Sequence, residues 1–336
     1  MEPTWQSASR TTARSRWCSP RTSGQPVSDA RNPLLPYVAF TGLALIWGVS
    51  FLFIKIGVQD MGPTGLVLVR SASGAVALAV ILRVTGKPLF GPDWKRWVLP
   101  FAIMAVINAL LPWAAIAWGE ERITSGLASI LNATATLWTA ILVFWVVPAE
   151  RPTPLNYVGV LIGIAGVIIL VLPDIAAHGL SGSFLGVLAV LIAAFSYALA
   201  ALYQRTKLRG IGVYQQSLGQ TFATALLAIP IAAPALPHFH FRIISFAAVV
   251  ALGVGGTGIA YLLFYYVMNT LGAVRATAVT LVVPVTAVFW GVLLLHEAVS
   301  VPMVAGMAVI LAGIVLTNVK RAPRPQTAAE RDSAAA

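Results

Sequence analysis

Ten apolar runs of roughly bilayer-spanning length, separated by short breaker-rich connections, constrain this chain more than any other feature. They occupy residues 34–57, 63–84, 97–118, 123–147, 155–173, 183–203, 213–235, 243–268, 273–295 and 301–319. A helix needs about 20 apolar residues to cross the hydrocarbon core, and every run is near that length. Turn signals part them at Met61-Gly62-Pro63, Gly86-Lys87-Pro88, Pro148 to Pro154, Pro173-Asp174 and Pro234 to Pro237. Hydrocarbon offers the backbone no hydrogen-bonding partner, so each run must satisfy its own peptide groups as a helix. The pattern therefore predicts an all-α integral membrane protein of ten transmembrane helices. Only 10% of the residues are charged, against about 25% in a soluble domain, which excludes a water-soluble enzyme. A single cysteine, Cys18, excludes an internal disulfide framework and a cysteine-based metal site; no metal and no cofactor are expected.

A net charge of +11 suggests nucleic acid until the charges are placed along the runs. With both ends on one side, 18 of the 22 Lys and Arg residues fall on that side, and only Lys55, Arg122 and Arg242 fall opposite, with Arg70 inside a run. Cytoplasmic loops carry this excess, so both termini are expected in the cytoplasm of a bacterial plasma membrane protein, with no nucleic-acid partner. Residues 1–33 and 320–336 are expected to be disordered cytoplasmic tails. The first 31 lack the apolar core of a signal peptide, although an organelle transit peptide shares their Arg, Ser and Thr content.

A second periodicity lies above the first. Glu150-Arg-Pro-Thr153 recurs as Glu297-Ala-Val-Ser300, an offset of 147 residues that also carries Gly159 onto Gly306 and Gly166 onto Gly313. In each copy a run of small residues precedes the acid. The chain thus divides into two five-helix repeats, 34–173 and 183–319. Five is odd, so the second repeat enters the membrane from the opposite face, and the repeats are inverted. Inverted repeats place a pseudo-twofold axis in the membrane plane, the architecture of many secondary transporters.

Trp47-Gly48-Val49-Ser50-Phe51 in the first run, Arg70 in the second, Gly126 to Thr134 before Glu150, and Ala278 to Pro284 with Glu297 and Gly306 form a recognisable set. In these residues the chain resembles the EamA-type members of the drug/metabolite transporter superfamily. The resemblance covers about residues 38–318. It implies ten helices, cytoplasmic termini and transport of small metabolites, often export. The family commonly has proline where Leu137 stands, opposite Pro284 in the second copy.

Polar groups inside the runs are the candidate substrate contacts. Ser125, Ser129, Asn132, Thr136 and Thr139 recur at helical spacing, so they share one face. That face is either a cavity wall or polar glue between helices. Asn132 favours a wet cavity, because a carboxamide needs several partners. The seventh run adds Ser217, Gln220 and Thr224, and the eighth Thr257, Tyr261 and Tyr265. Arg70 lies seven residues inside Pro63. It answers either an anionic substrate group or a structural need, pairing with carbonyls or snorkelling outward. Trp47, Trp113, Trp138, Tyr197 and Tyr261 are candidates for an aromatic lining. The expected cavity set is Trp47, Ser50, Arg70, Asn108, Trp113, Asn132, Thr136, Tyr197, Gln220, Tyr261 and Tyr265.

Several motifs resolve into packing or capping. Gly253-Val-Gly255-Gly256-Thr-Gly258 matches a dinucleotide fingerprint, but no strand precedes it and no acid follows at the required distance; it marks a flexible or closely packed point. Glu150 and Glu297 read as carboxylates at helix starts, beside the N-caps Thr153 and Ser300. Gly159, Gly163, Gly306 and Gly313 read as close packing of the fifth and tenth helices. Every acid falls in a tail or at a run end, so facilitated diffusion or exchange is expected, with any proton coupling through Glu120 or Glu121 at the outer mouth. The favoured function is a secondary transporter of amino-acid-like metabolites or drugs, an exporter working by alternating access. An intramembrane enzyme acting on lipid or prenyl substrates is the alternative, and a non-transporting scaffold a third. The expected partners are a small-molecule substrate and the lipid bilayer, with a homodimer as an option.

Overall fold

The computed structural model describes residues 34–91, 93–146, 153–178, 180, 182–208, 211–272, 275–276 and 278–318. Both tails and Glu150 fall outside these residues. Among the described residues the regular structure is entirely helical, and the helices group into ten rods: α1 (35–61), α2 (63–84), α3 (Trp94–Glu120), α4 (125–146), α5 (Pro154–His178), α6 (Gly182–Lys207), α7 (Val213–Ala232), α8 (Ile243–Leu271), α9 (Val279–Leu295) and α10 (Val301–Thr317). The chain turns from α1 into α2 at Gly62, whose φ of 63° and ψ of 174° suit a residue without Cβ. Pro63 then supplies a φ ready for the next helix and lacks an N–H that would go unused there. The ninth run, expected from residue 273, forms its rod from Val279 onward.

Rod α4 is parted at Thr134 into Ser125–Ala133 and Ala135–Val146, and two other rods contain π-turns. Residues Val106–Leu110 of α3 and Val254–Ile259 of α8 form π-turns. The repeat offset of 147 carries the first onto residues 253–257, overlapping the second. In α3 the cause is Pro112, which has no N–H for the carbonyl four residues back and whose ring crowds it. In α8 the glycine-rich stretch removes the side chains that would resist the wider turn. The fingerprint-like glycines thus mark a π-turn, and Gly253 is also a contact point. A Cβ there would lie 2.5 Å from the Arg70 carbonyl of α2.

Rods α5 and α10 pack backbone to backbone through small residues. A Cβ on Gly159 would lie 2.7 Å from the Gly313 carbonyl, and one on Gly166 would lie 3.0 Å from the Gly306 carbonyl. As the numbers rise on one helix they fall on the other, so the pair is antiparallel. The contacts also cross: Gly159 meets the equivalent of Gly166, and Gly166 meets the equivalent of Gly159. A twofold axis between like surfaces generates such reciprocal contacts. Leu137, at the position where the family often has proline, inserts its side chain against Gly163 of α5. Lipid is as apolar as leucine, so this packing relies on close van der Waals approach rather than on escape from water.

One end of the bundle is tied by polar contacts. Lys55 of α1 donates to the carbonyls of Glu120 and Ile123, a cation at the C-terminal end of α3. Glu297 accepts from the Ser125 N–H at 2.8 Å, the Gly126 N–H at 3.2 Å and the Ser125 hydroxyl at 3.0 Å. It therefore caps α4 of the first repeat, not the start of α10 as its sequence position suggests. The turn at His296, in the left-handed region with φ 54°, folds Glu297 back over Gly291, where a Cβ would lie 2.5 Å from its carboxylate. Ser300 does cap α10, accepting from the Met303 N–H at 3.3 Å. Asp60 completes this end, taking the Ser245 hydroxyl and lying 3.6 Å from Arg242.

Candidate functional site

The middle of the bundle holds a polar cluster drawn from five rods. Arg70 of α2 stacks its guanidinium on the Trp113 ring of α3, 3.8 Å from the centroid. Arg70 is only 9% exposed and Trp113 only 5%, so the pair is withdrawn from lipid and does not snorkel. No carbonyl or carboxylate among the described residues bonds the guanidinium, and its Nε is buried without a partner. Neither structural explanation of this arginine, carbonyl pairing or outward snorkelling, matches its surroundings. Tyr197 of α6 packs against the apolar group of Val67, Ala109, Trp113 and Ala228, and the hydroxyls of Tyr197 and Tyr261 lie within electrostatic reach of the Arg70 charge. A cation at mid-bilayer costs roughly 2.5–3.5 kcal/mol on insertion scales. Stacking on a desolvated tryptophan recovers about 2 kcal/mol of that.

A second chain of contacts adjoins it. Asn108, inside the π-turn of α3, donates to the Gln220 side-chain oxygen of α7 at 3.3 Å, and Gln220 donates to the Tyr261 hydroxyl of α8 at 3.2 Å. Six of the eleven expected cavity residues, Arg70, Asn108, Trp113, Tyr197, Gln220 and Tyr261, therefore meet in one place. They come from α2 and α3 before the repeat boundary and from α6, α7 and α8 after it.

Each π-turn also draws in a donor from a neighbouring rod. The Ser196 hydroxyl of α6 donates to the Ile107 carbonyl at 2.6 Å. The Trp47 indole of α1 donates to the Gly256 carbonyl at 3.3 Å. Trp47 thus serves the α8 turn and lies 5.7 Å from the Phe264 ring. Ser50, one turn on, donates to its own helix at Ile46 and faces Gly256. Gly48 between them makes room for Thr286 of α9, whose hydroxyl donates to the Ala44 carbonyl at 3.0 Å.

The expected polar face of α4 does not act as one surface. Ser125 is taken by Glu297, and Thr139 donates to the Ala135 carbonyl of its own helix at 2.8 Å. Asn132 keeps a buried side-chain oxygen without a partner; neither it nor Thr136 bonds to the Arg70 cluster among the described residues. Trp138 packs edge-on against Phe195 at 5.4 Å. The Tyr265 side chain lies outside the described atoms. Glu120, expected at an open outer mouth, is fully enclosed, with neither carboxylate oxygen bonded. Its neighbour Glu121 pairs with Arg122 at 2.9 Å. Lys55 and Ser196 were missed by sequence reasoning. Lys55 carried the signal of a lone cation near a run end, and Ser196 that of a hydroxyl beside Tyr197.

Comparison with known proteins places the chain in a family. The EamA-like transporter family model matches residues 34–172 and again 184–319, and the chain belongs to that family. The chain is 25% identical to the uncharacterized transporter YoaV of Bacillus subtilis, covering 82% of this chain and 94% of that one. It is 28% identical to the uncharacterized inner membrane transporter YedA of Escherichia coli, covering 85% and 91%. A WAT1-related chloroplastic protein of Arabidopsis thaliana matches at 24% identity over 87% of this chain and 71% of its own. A solved crystal structure, 20% identical, superposes with a TM-score of 0.61 over 84% of this chain and 96% of its own, a likeness of fold. Family, relatives and apolar helices together make this an all-α, multi-pass integral membrane protein of a transporter family.

Proposed function

We propose that the chain is a secondary transporter that moves small amino-acid-like metabolites or drugs outward by alternating access. The observation that carries this reading is the buried polar cluster, assembled where rods of the two repeats face each other. Substrate sites of inverted-repeat transporters lie near the bilayer midplane at the repeat interface. Polar side chains inside a membrane bundle are costly unless a pathway needs them. In this reading all ten rods cross the bilayer, the repeats are inverted, and both termini lie in the cytoplasm of a bacterial cell. The crossed glycine contacts of α5 and α10 support the inversion. The π-turns in α3 and α8 support the alternation, since such turns are sites where a helix can be remodelled and they gather at functional positions.

Counterflow in proteoliposomes tests the reading. Vesicles preloaded with an unlabelled solute, drawn from a panel of amino acids and drugs, should transiently concentrate the labelled form above its equilibrium level without a pH gradient. Uptake no greater than in protein-free liposomes across the panel would defeat it, and uptake that strictly requires the pH gradient would replace exchange with proton coupling.

A further inference from the structure

We infer that Arg70 docks a carboxylate of the transported solute, an inference that rests on the transporter reading and adds a substrate chemistry to it. The guanidinium is a planar fork of five N–H donors. One of its faces is covered by Trp113 at 3.8 Å, which leaves the donors around its edge. The buried Nε is unbonded, and no ion pair or hydrogen bond to the terminal nitrogens occurs among the described residues. A fork held flat by an aromatic ring, with its edge free, fits the two oxygens of a carboxylate in one plane. The surrounding groups suit the rest of such a solute. Tyr197 and Tyr261 lie within reach of the same charge, and Gln220 links Tyr261 to Asn108.

The charge count narrows the ligand further. Arg70 brings one positive charge into the cluster, and the enclosed Glu120 lies two helical turns, about 10 Å, beyond Trp113 on the same face of α3. Lys55 beside Glu120 is already committed to the carbonyls of Glu120 and Ile123. Glu120 acts electrostatically on Arg70 as well, so one negative charge matches the cluster's single cation better than the two of a phosphate dianion.

Thermal unfolding of the purified full-length protein in detergent, with paired probes, tests this. The probes are L-amino acids and aromatic and short-chain monocarboxylic acids, each beside its carboxamide, with inorganic phosphate as a further arm. A ligand that binds only the folded state raises the melting temperature. At least one acid should raise it by several degrees while its amide does not. Arg70→Met should remove that shift, weakening the apparent affinity about tenfold or more, while its ligand-free melting temperature stays at or above that of the parent. Arg70→Lys, which keeps the charge but loses the fork, should restore part of the shift.

Three results would overturn the inference. One is an acid shift that survives in Arg70→Met. Another is an Arg70→Met variant that fails to fold or melts several degrees lower without ligand, which makes the cation structural. The third is a panel in which phosphate or the amides stabilise the protein and no acid does. Counterflow of neutral or cationic panel members would in that case leave the transporter reading standing while the carboxylate assignment falls.

Discussion

Glu297 shows how a single side chain ties the two repeats together. Its carboxylate meets two backbone N–H groups at the start of α4, where the helix dipole also favours negative charge. Hydrogen bonds to a charged group contribute about 1.5–3 kcal/mol each when lost from a buried site. Glu297→Ala should therefore lower stability by roughly 2–3 kcal/mol, read by thermal unfolding in detergent, and Glu297→Gln by less because an acceptor remains. Gly291→Ala should act through the same contact, since its new Cβ would lie 2.5 Å from the carboxylate. The double variant Glu297→Ala with Gly291→Ala should cost less than the sum of the two, because both remove one interaction; strict additivity would show that they act separately. At this scale the sequence was most legible where a polar residue interrupts an apolar run, as at Arg70, Asn108 and Gln220. It was least legible where the partner is a backbone group. Nothing in the letters says that Lys55 will meet the carbonyls of Glu120 and Ile123, or that Glu297 will reach across to another helix.

At the scale of helices, the α5–α10 contact and the two π-turns divide scaffold from site. The glycines at 159, 166, 306 and 313 let two backbones touch. A Cβ on Gly313 would lie 2.5 Å from the Gly163 nitrogen and 2.6 Å from the Gly159 carbonyl, neither of which can yield. Gly313→Ala should thus cost about 1–3 kcal/mol of stability, measured by thermal unfolding, with Gly255→Ala as a contrast because a Cβ there meets nothing within 4 Å. Pro112→Ala tests the π-turn. It restores an N–H to α3, so the protein should melt at a higher temperature while counterflow falls, as Ile107 and Asn108 withdraw from their partners. Equal counterflow would show that the turn is incidental. The helix positions and the glycine packing were readable because length, breakers and small-residue spacing are direct properties of the sequence. The π-turns were not, since an extra residue in one turn leaves the apolar pattern unchanged. The polar spacing in α4 looked like a single surface because spacing does not reveal partners, and Ser125 and Thr139 are engaged elsewhere.

For the whole molecule, the family model matches twice, at 34–172 and 184–319, and the reciprocal glycine contacts join α5 of the first match to α10 of the second. The polar cluster sits between the halves, with Arg70, Asn108 and Trp113 contributed by one and Tyr197, Gln220 and Tyr261 by the other. Which residues met there required the fold, because contacts such as Asn108 with Gln220 join positions 112 residues apart. The proposed alternation demands that this one place be reachable from each side of the membrane in turn. Replacing Cys18 with serine gives a background without cysteine, into which Asn108→Cys places one thiol at the cluster. A membrane-impermeant thiol reagent is then applied to right-side-out and to inverted vesicles, with and without a counterflow-active solute. The account predicts labelling from both faces, with the solute raising the rate from one face and lowering it from the other. Labelling from a single face only, whatever solute is present, would contradict it.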